Sequence, residues 1–171
     1  PSAEVEAVRS VTEVFAEVSP EAPLTLSVES ENIAIRMLDI LVNTALSNVE
    51  VSIEALEEKP SSVESPEGVV YQYLEFTLLN LDDADIEQAD LEFSVPNAWL
   101  EENSVDTESI VLLRYHDAWE ELPTEYLREE GDMQYYSART EGFSYFAISG
   151  EEMLEVVENV TVLQEQSEVV K

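Results

Sequence analysis

No cysteine occurs in the sequence. That absence removes disulfide scaffolds, thiolate zinc sites and cysteine nucleophiles together. It leaves the compartment open, because a chain with enough core does without staples even in an oxidising setting. Histidine is almost as scarce, His116 being the only one. Beside Asp117 and near Trp119, it lacks the further ligands that zinc needs and the nucleophile that a Ser-His hydrolase needs. A turn is its expected place. No serine sits in a Gly-x-Ser-x-Gly elbow. Glycine numbers 4 and proline 7, which excludes collagen-like and Gly/Ser-linker character. No apolar run reaches the length of a membrane span, so direct membrane insertion is not expected.

Positive charge is the other scarcity. Seven Lys and Arg face 39 Asp and Glu, for a formal net charge of -32. Such a field repels phosphate, which argues against nucleic acid and anionic membrane as partners. Two readings of the acidity stay open. One is a solvated acidic surface suited to a salty, charge-screening environment. The other is a surface whose carboxylates gather Ca²⁺.

Among 171 residues, 44% are hydrophobic, enough for one domain with a sizeable core. The chain is organised around Ser109–Ser149, where short apolar or alternating runs rich in β-branched and aromatic residues are separated by turn chemistry. Upstream, Val11–Val18 reads as a strand ending at Ser19-Pro20. Leu24, Leu26 and Val28 alternate with polar residues. Between Ile33 and Val42 the alternation changes phase near Met37, as a β-bulge or a strand buried on both sides would require. Val49–Ala55 gives the plainest period-2 signal, Glu57–Gly68 is a loop, and Val69–Leu79 is a long strand. After a turn at Asn80–Asp85, Leu91, Phe93 and Val95 alternate until Pro96. Ala98–Asn103 can form a helical turn or two. Ile110–Tyr115, Ala118–Leu122, Met133–Arg139 and Phe143–Ser149 complete the pattern, with a polar turn between Pro123 and Met133. About nine or ten short strands and almost no helix predict an all-β fold, an immunoglobulin-like antiparallel β-sandwich; a closed barrel is the alternative.

Several blocks also carry a family likeness. Asn48–Ser52 (Asn-Val-Glu-Val-Ser), Leu56–Pro60 (Leu-Glu-Glu-Lys-Pro), Val95–Asn103 (Val-Pro-Asn-Ala-Trp-Leu-Glu-Glu-Asn), Val111–Pro123 (Val-Leu-Leu-Arg-Tyr-His-Asp-Ala-Trp-Glu-Glu-Leu-Pro) and Thr140–Ile148 follow one another in order. Together, over about residues 11–149, they resemble the archaeal PGF-pre-PGF domain of exported cell-surface proteins. The resemblance implies an extracellular, non-enzymatic β domain and supplies no catalytic residues. Residues 150–171 carry neither the Thr/Ser-rich stalk nor the Pro-Gly-Phe tripeptide associated with that family. The expected organisation is a leader or donor segment at 1–10, a sandwich at 11–149 and a tail or donor segment at 150–171.

Candidate sites follow from residue type. Asp82, Asp83 and Asp85 offer hard oxygens for Ca²⁺, without the loop of an EF-hand, and a solvated turn is the plainer reading. No other cofactor is expected. Trp99, Trp119, Tyr135, Tyr136, Phe143, Tyr145 and Phe146 could form a carbohydrate platform, or sandwich core and cross-strand pairs. Asn159 heads the only Asn-x-Ser/Thr sequon and is a glycosylation candidate. Val156, Val157, Val160 and Val162 in the tail, with Val14 and Phe15 near the start, are candidates for self-association by strand addition to a neighbouring sheet edge. Head-to-tail donation of that kind builds an open filament. A structural or interaction module, pairing with itself or with other surface proteins, is therefore expected. A carbohydrate-binding or glycan-acting domain is the alternative.

Overall fold

The computed structural model describes residues 9–153. Eleven strands form two antiparallel sheets packed face to face, an all-β sandwich as the strand pattern predicts. In chain order they are β1 (Ser10–Val18), β2 (Leu24–Ser27), β3 (Ile35–Val42), β4 (Leu46–Leu56), β5 (Val69–Leu79) and β6 (Ile86–Pro96). These are followed by β7 (Val111–Tyr115), β8 (Trp119–Glu121), β9 (Thr124–Glu130), β10 (Met133–Thr140) and β11 (Tyr145–Gly150). One sheet has the order β1-β4-β5-β11-β7-β8 and the other β2-β3-β6-β10-β9. Among the described residues each sheet keeps two unpaired edges and the two sheets stay separate, so they form a sandwich and not a closed barrel. The one α-helix among the described residues, α1 (Asn97–Glu102), starts directly after Pro96, as the residues predict.

The core follows from alternation. Val49, Val51, Ile53 and Ala55 of β4 face Leu38, Ile40 and Val42 of β3 and Leu91, Phe93 and Val95 of β6, all buried. A fully buried side chain of this size contributes about 1.5–3 kcal/mol. The phase change near Met37 is a bulge: Ile35 pairs with Phe93 and Met37 with Glu92, which leaves Arg36 as the extra residue. Arg36 turns its guanidinium onto the carbonyls of Ser30, Ile33 and Ala34. Gln72 of β5 ties that same segment to the opposite sheet, accepting from the Ala34 N–H at 2.8 Å and donating to Asn32 at 3.0 Å.

One expectation fails. The stretch read as a polar turn between Pro123 and Met133 is mostly strand β9, which brings the total to eleven. Its side chains are almost all exposed, because β9 is an edge strand, and no apolar alternation marks it. Pairing with β10, not burial, makes it a strand.

Tyr136 of β10 stacks on Phe93 with ring centroids 5.4 Å apart and donates its hydroxyl to the Thr107 carbonyl at 2.7 Å. Burial, and secondarily the charges of Tyr126 and Asp106, push its phenol well above the ordinary 10.0. Burial likewise raises Tyr71. A raised phenol favours folding below the unfolded value, and the gain is lost as pH rises past 10. Stability should therefore fall in alkali, as urea unfolding between about pH 8 and 11 would show. Tyr136→Phe should cost about 1 kcal/mol at neutral pH, from the lost hydrogen bond, and flatten the alkaline fall.

Candidate functional site

The four sheet edges differ sharply. β8 has three residues and β2 four, too short to template another chain. β9 has seven, but it carries Glu125, Arg128, Glu129 and Glu130, and Leu127 bulges out where Tyr135 pairs with Arg128 and Tyr136 with Tyr126. Brevity, charge and bulges are the usual ways of blunting an edge. β1 has nine residues and holds one register against β4 from Ser10↔Glu54 to Val18↔Leu46. It is the long, unbulged edge.

Its geometry can be read from the register. Ala55 donates its N–H to the Arg9 carbonyl at 2.7 Å, which makes Arg9 and Ala55 a hydrogen-bonded pair. In an antiparallel ladder such pairs recur at every second residue. Val11, Glu13 and Phe15 therefore bond to β4, while Thr12, Val14 and Ala16 turn their N–H and C=O groups outward. No described residue pairs with β1 on that side. The side chains split the same way. Phe15 and Val11 pack against the core, whereas Val14 is 57% exposed. Of the two self-association candidates here, Val14 lies at the open surface and Phe15 anchors the strand from behind. Val156, Val157, Val160, Val162 and Asn159 lie outside the described residues.

The loop between β4 and β5 forms a second feature. It is pinned over the outer face of its sheet by Val63, which is buried. The Trp119 indole donates to the Glu64 carbonyl at 2.7 Å, the Tyr115 hydroxyl to the Glu64 carboxylate at 3.0 Å, and the Ser149 hydroxyl to the Glu67 carbonyl at 2.8 Å. A groove of about 650 Å³ runs beside it, with Trp119 as its aromatic wall and Glu64, Glu67, Glu121 and Glu151 around it. Trp119 lies edge-on to Tyr115 and beside Tyr73.

The other aromatics do not join that wall. Tyr136 and Phe146 are core residues, and Phe143 packs on Phe76 and Phe146. Trp99 meets Tyr71 edge-on, and Tyr135 carries the Arg128 guanidinium 4.4 Å above its ring. Tyr145 opens β11, half-buried. A single carbohydrate platform of seven rings is not formed; core and cross-strand pairing is the arrangement.

The aspartate turn has its own uses for its carboxylates. Asp85 accepts from the Asp82 N–H at 2.9 Å, closing a 3₁₀ turn at Asp83–Asp85. Asp83 accepts from Arg114 at 3.0 Å and from the Phe143 N–H. Gly142 leaves room for this pair: a Cβ there would meet Asp83 Oδ2 at 2.3 Å and Arg114 Nη2 at 2.4 Å. Among the described residues no three acidic or His side chains converge as a metal site would need. His116 is exposed in the β7–β8 turn, where its N–H bonds to Ala118.

The other cations among the described residues are used on the protein's own groups. Arg9 donates to the carbonyls of Ala55 and Leu56, and Lys59 to those of Pro60 and Val63. Arg128 pairs with Glu92 and Glu130, and Arg139 with Asp90. No family model matches this chain, and no curated protein shows significant similarity to it. The PGF-pre-PGF resemblance rests on its sequence blocks alone.

Proposed function

We propose that the chain is a non-catalytic structural or interaction module of an archaeal cell surface, joined to copies of itself or to other surface proteins through the open edge of β1. The carrying observation is the contrast among edges: β2 and β8 are blunted by brevity and β9 by a bulge, whereas β1 is nine residues long and unbulged. An incoming strand would find the outward N–H and C=O groups of Thr12, Val14 and Ala16 and the exposed Val14 side chain. The flanking segments 1–10 and 150–171 supply donor sequence rich in valine. Donation in one direction from copy to copy builds a filament; capture of another surface protein makes an adhesive or envelope domain. The extracellular placement draws on the family resemblance and on a charge of -32, which favours a screened, salty medium.

Light scattering coupled to size exclusion, in molar salt, tests the reading. The wild-type chain should run as oligomers or longer assemblies, and Val14→Lys should run as a monomer with unchanged melting temperature. A wild-type chain that stays strictly monomeric in molar salt would sink the self-assembling version. Glycan binding is the second reading, favoured by the Trp119 groove with its rim of carboxylates.

A further inference from the structure

The ladder that ties β1 to β4 also settles which side chains of β1 share a face. Val11, Glu13 and Phe15 stand opposite Ile53, Val51 and Val49, which are buried in the core, so the odd row points inward. Val11 and Phe15 pack there, whereas Glu13 and Glu17 are exposed. The even row, Ser10, Thr12, Val14 and Ala16, lies on the outer face, where the Thr12 hydroxyl bonds to that of Ser52 at 2.8 Å. That row carries no charge, and its N–H and C=O groups are the ones that turn away from β4. Both carboxylates of β1 therefore sit in the other row. Their spacing decides which strand fits beside β1, because like charges directly opposite one another across a ladder destabilise it.

β1 is complementary to itself. We propose that the occupant of the open edge is the β1 of a second copy, antiparallel and related by a two-fold axis through Val14. The inference rests on the reading of β1 as the joining edge and makes the joint a closed dimer, in which the six-stranded sheets of two copies run into one. Val14 pairs with the partner's Val14, and Thr12 with the partner's Ala16, each pair exchanging the outward N–H and C=O groups. Glu13 then faces the partner's Phe15 and Glu17 the partner's Val11. The nearest acidic side chains stand on the diagonal, about 7–8 Å away, where molar salt screens them. Other alignments do worse. An axis at Glu13 sets that residue against its own image, and an axis at Phe15 sets Glu13 against the partner's Glu17. An axis at Thr12 or Ala16 avoids both clashes but overlaps only five of the nine strand residues. A parallel copy in register places each glutamate beside its image.

The chain has no cysteine, so single cysteine substitutions report the alignment. Thr12→Cys, Val14→Cys and Ala16→Cys, all at exposed positions, are oxidised in molar NaCl and run on non-reducing gels, beside light scattering of the unaltered chain. About the two-fold axis the Val14 Cα atoms lie about 5.5 Å apart, within disulfide reach, so Val14→Cys should bridge into a dimer. The two Thr12 positions are four residues out of step, roughly 14 Å apart, as are the two Ala16 positions. Neither of those variants should bridge alone, and a mixture of the two should. Scattering should give twice the chain mass of 19.2 kDa. Bridging of Thr12→Cys or Ala16→Cys alone means a shifted axis, and bridging of all three alone means a parallel pair; either overturns the proposal. Oligomers that lack a Val14 bridge yet fall apart with Val14→Lys overturn it in favour of a donated terminal segment, and keep β1 as the joining edge. A strict monomer with no bridge at any of the three positions overturns both.

Discussion

Gly68→Ala should be among the most damaging single substitutions in the chain. Gly68 has φ of 91°, a region that an L-residue enters at a cost of about 1–2 kcal/mol. A Cβ there would also lie 2.4 Å from Ser149 Oγ and 2.7 Å from the Gly150 carbonyl oxygen. The serine could rotate away, at the expense of its bond to Glu67. The carbonyl belongs to β11, paired with β5, and cannot retreat without opening the ladder. Overpacking of this kind adds about 1–3 kcal/mol. The total, about 2–5 kcal/mol, corresponds to a melting temperature lowered by roughly 6–15 °C. Gly131→Ala is the control: φ is 61°, with nothing within 4 Å of the added Cβ, so strain alone should act. Thermal denaturation of the two variants beside wild type checks the difference. If Gly68→Ala is no worse than Gly131→Ala, the close approach to β11 is not limiting.

The second large effect is salt. With 39 acidic residues and seven basic ones, complete pairing of every cation would still leave the chain strongly negative. The cations are moreover partly occupied by carbonyls: Arg9, Arg36 and Lys59 offset no carboxylate in the described ion pairs. Folding gathers this charge into a small volume, and the repulsion is greatest where screening is weakest. The Debye length falls from about 30 Å at 0.01 M to about 3 Å at 1 M. Stability should rise by about 3 kcal/mol or more across that range, and the melting temperature by roughly 10 °C, at about 3 °C per kcal/mol. Scanning calorimetry in NaCl reads it directly. A flat or falling melting temperature would mean that the acidic surface is not a significant load on the fold.

The sandwich was legible because most strands bury one face, and burial writes a period of two into the sequence. β4, with Val49, Val51 and Ile53 inward, is the clearest case, and β5 runs over Val69–Leu79 as the pattern predicts. The bulge at Arg36 left a readable trace in the broken phase. β9 left none: at a sheet edge its identity comes from a partner strand, and partner strands are not local information. The sites divide in the same way. Val14 was legible only as one of two strand-addition candidates beside Phe15; that it is exposed, and that no described residue pairs with the outer side of β1, needed the strand order. The engagement of Asp83 by Arg114, 31 positions away, could not be inferred from the aspartate cluster.

The open edge of β1 also has a kinetic side. Two copies approach one another as polyanions, so their encounter rate should be low in dilute salt and climb steeply as ions are added. Long-range repulsion then does for β1 what bulges and short length do for the other edges, but only until salt removes it. Under the strand addition proposed above, ionic strength would time assembly: a chain in dilute surroundings would stay single, and one in brine would find its edge open to capture.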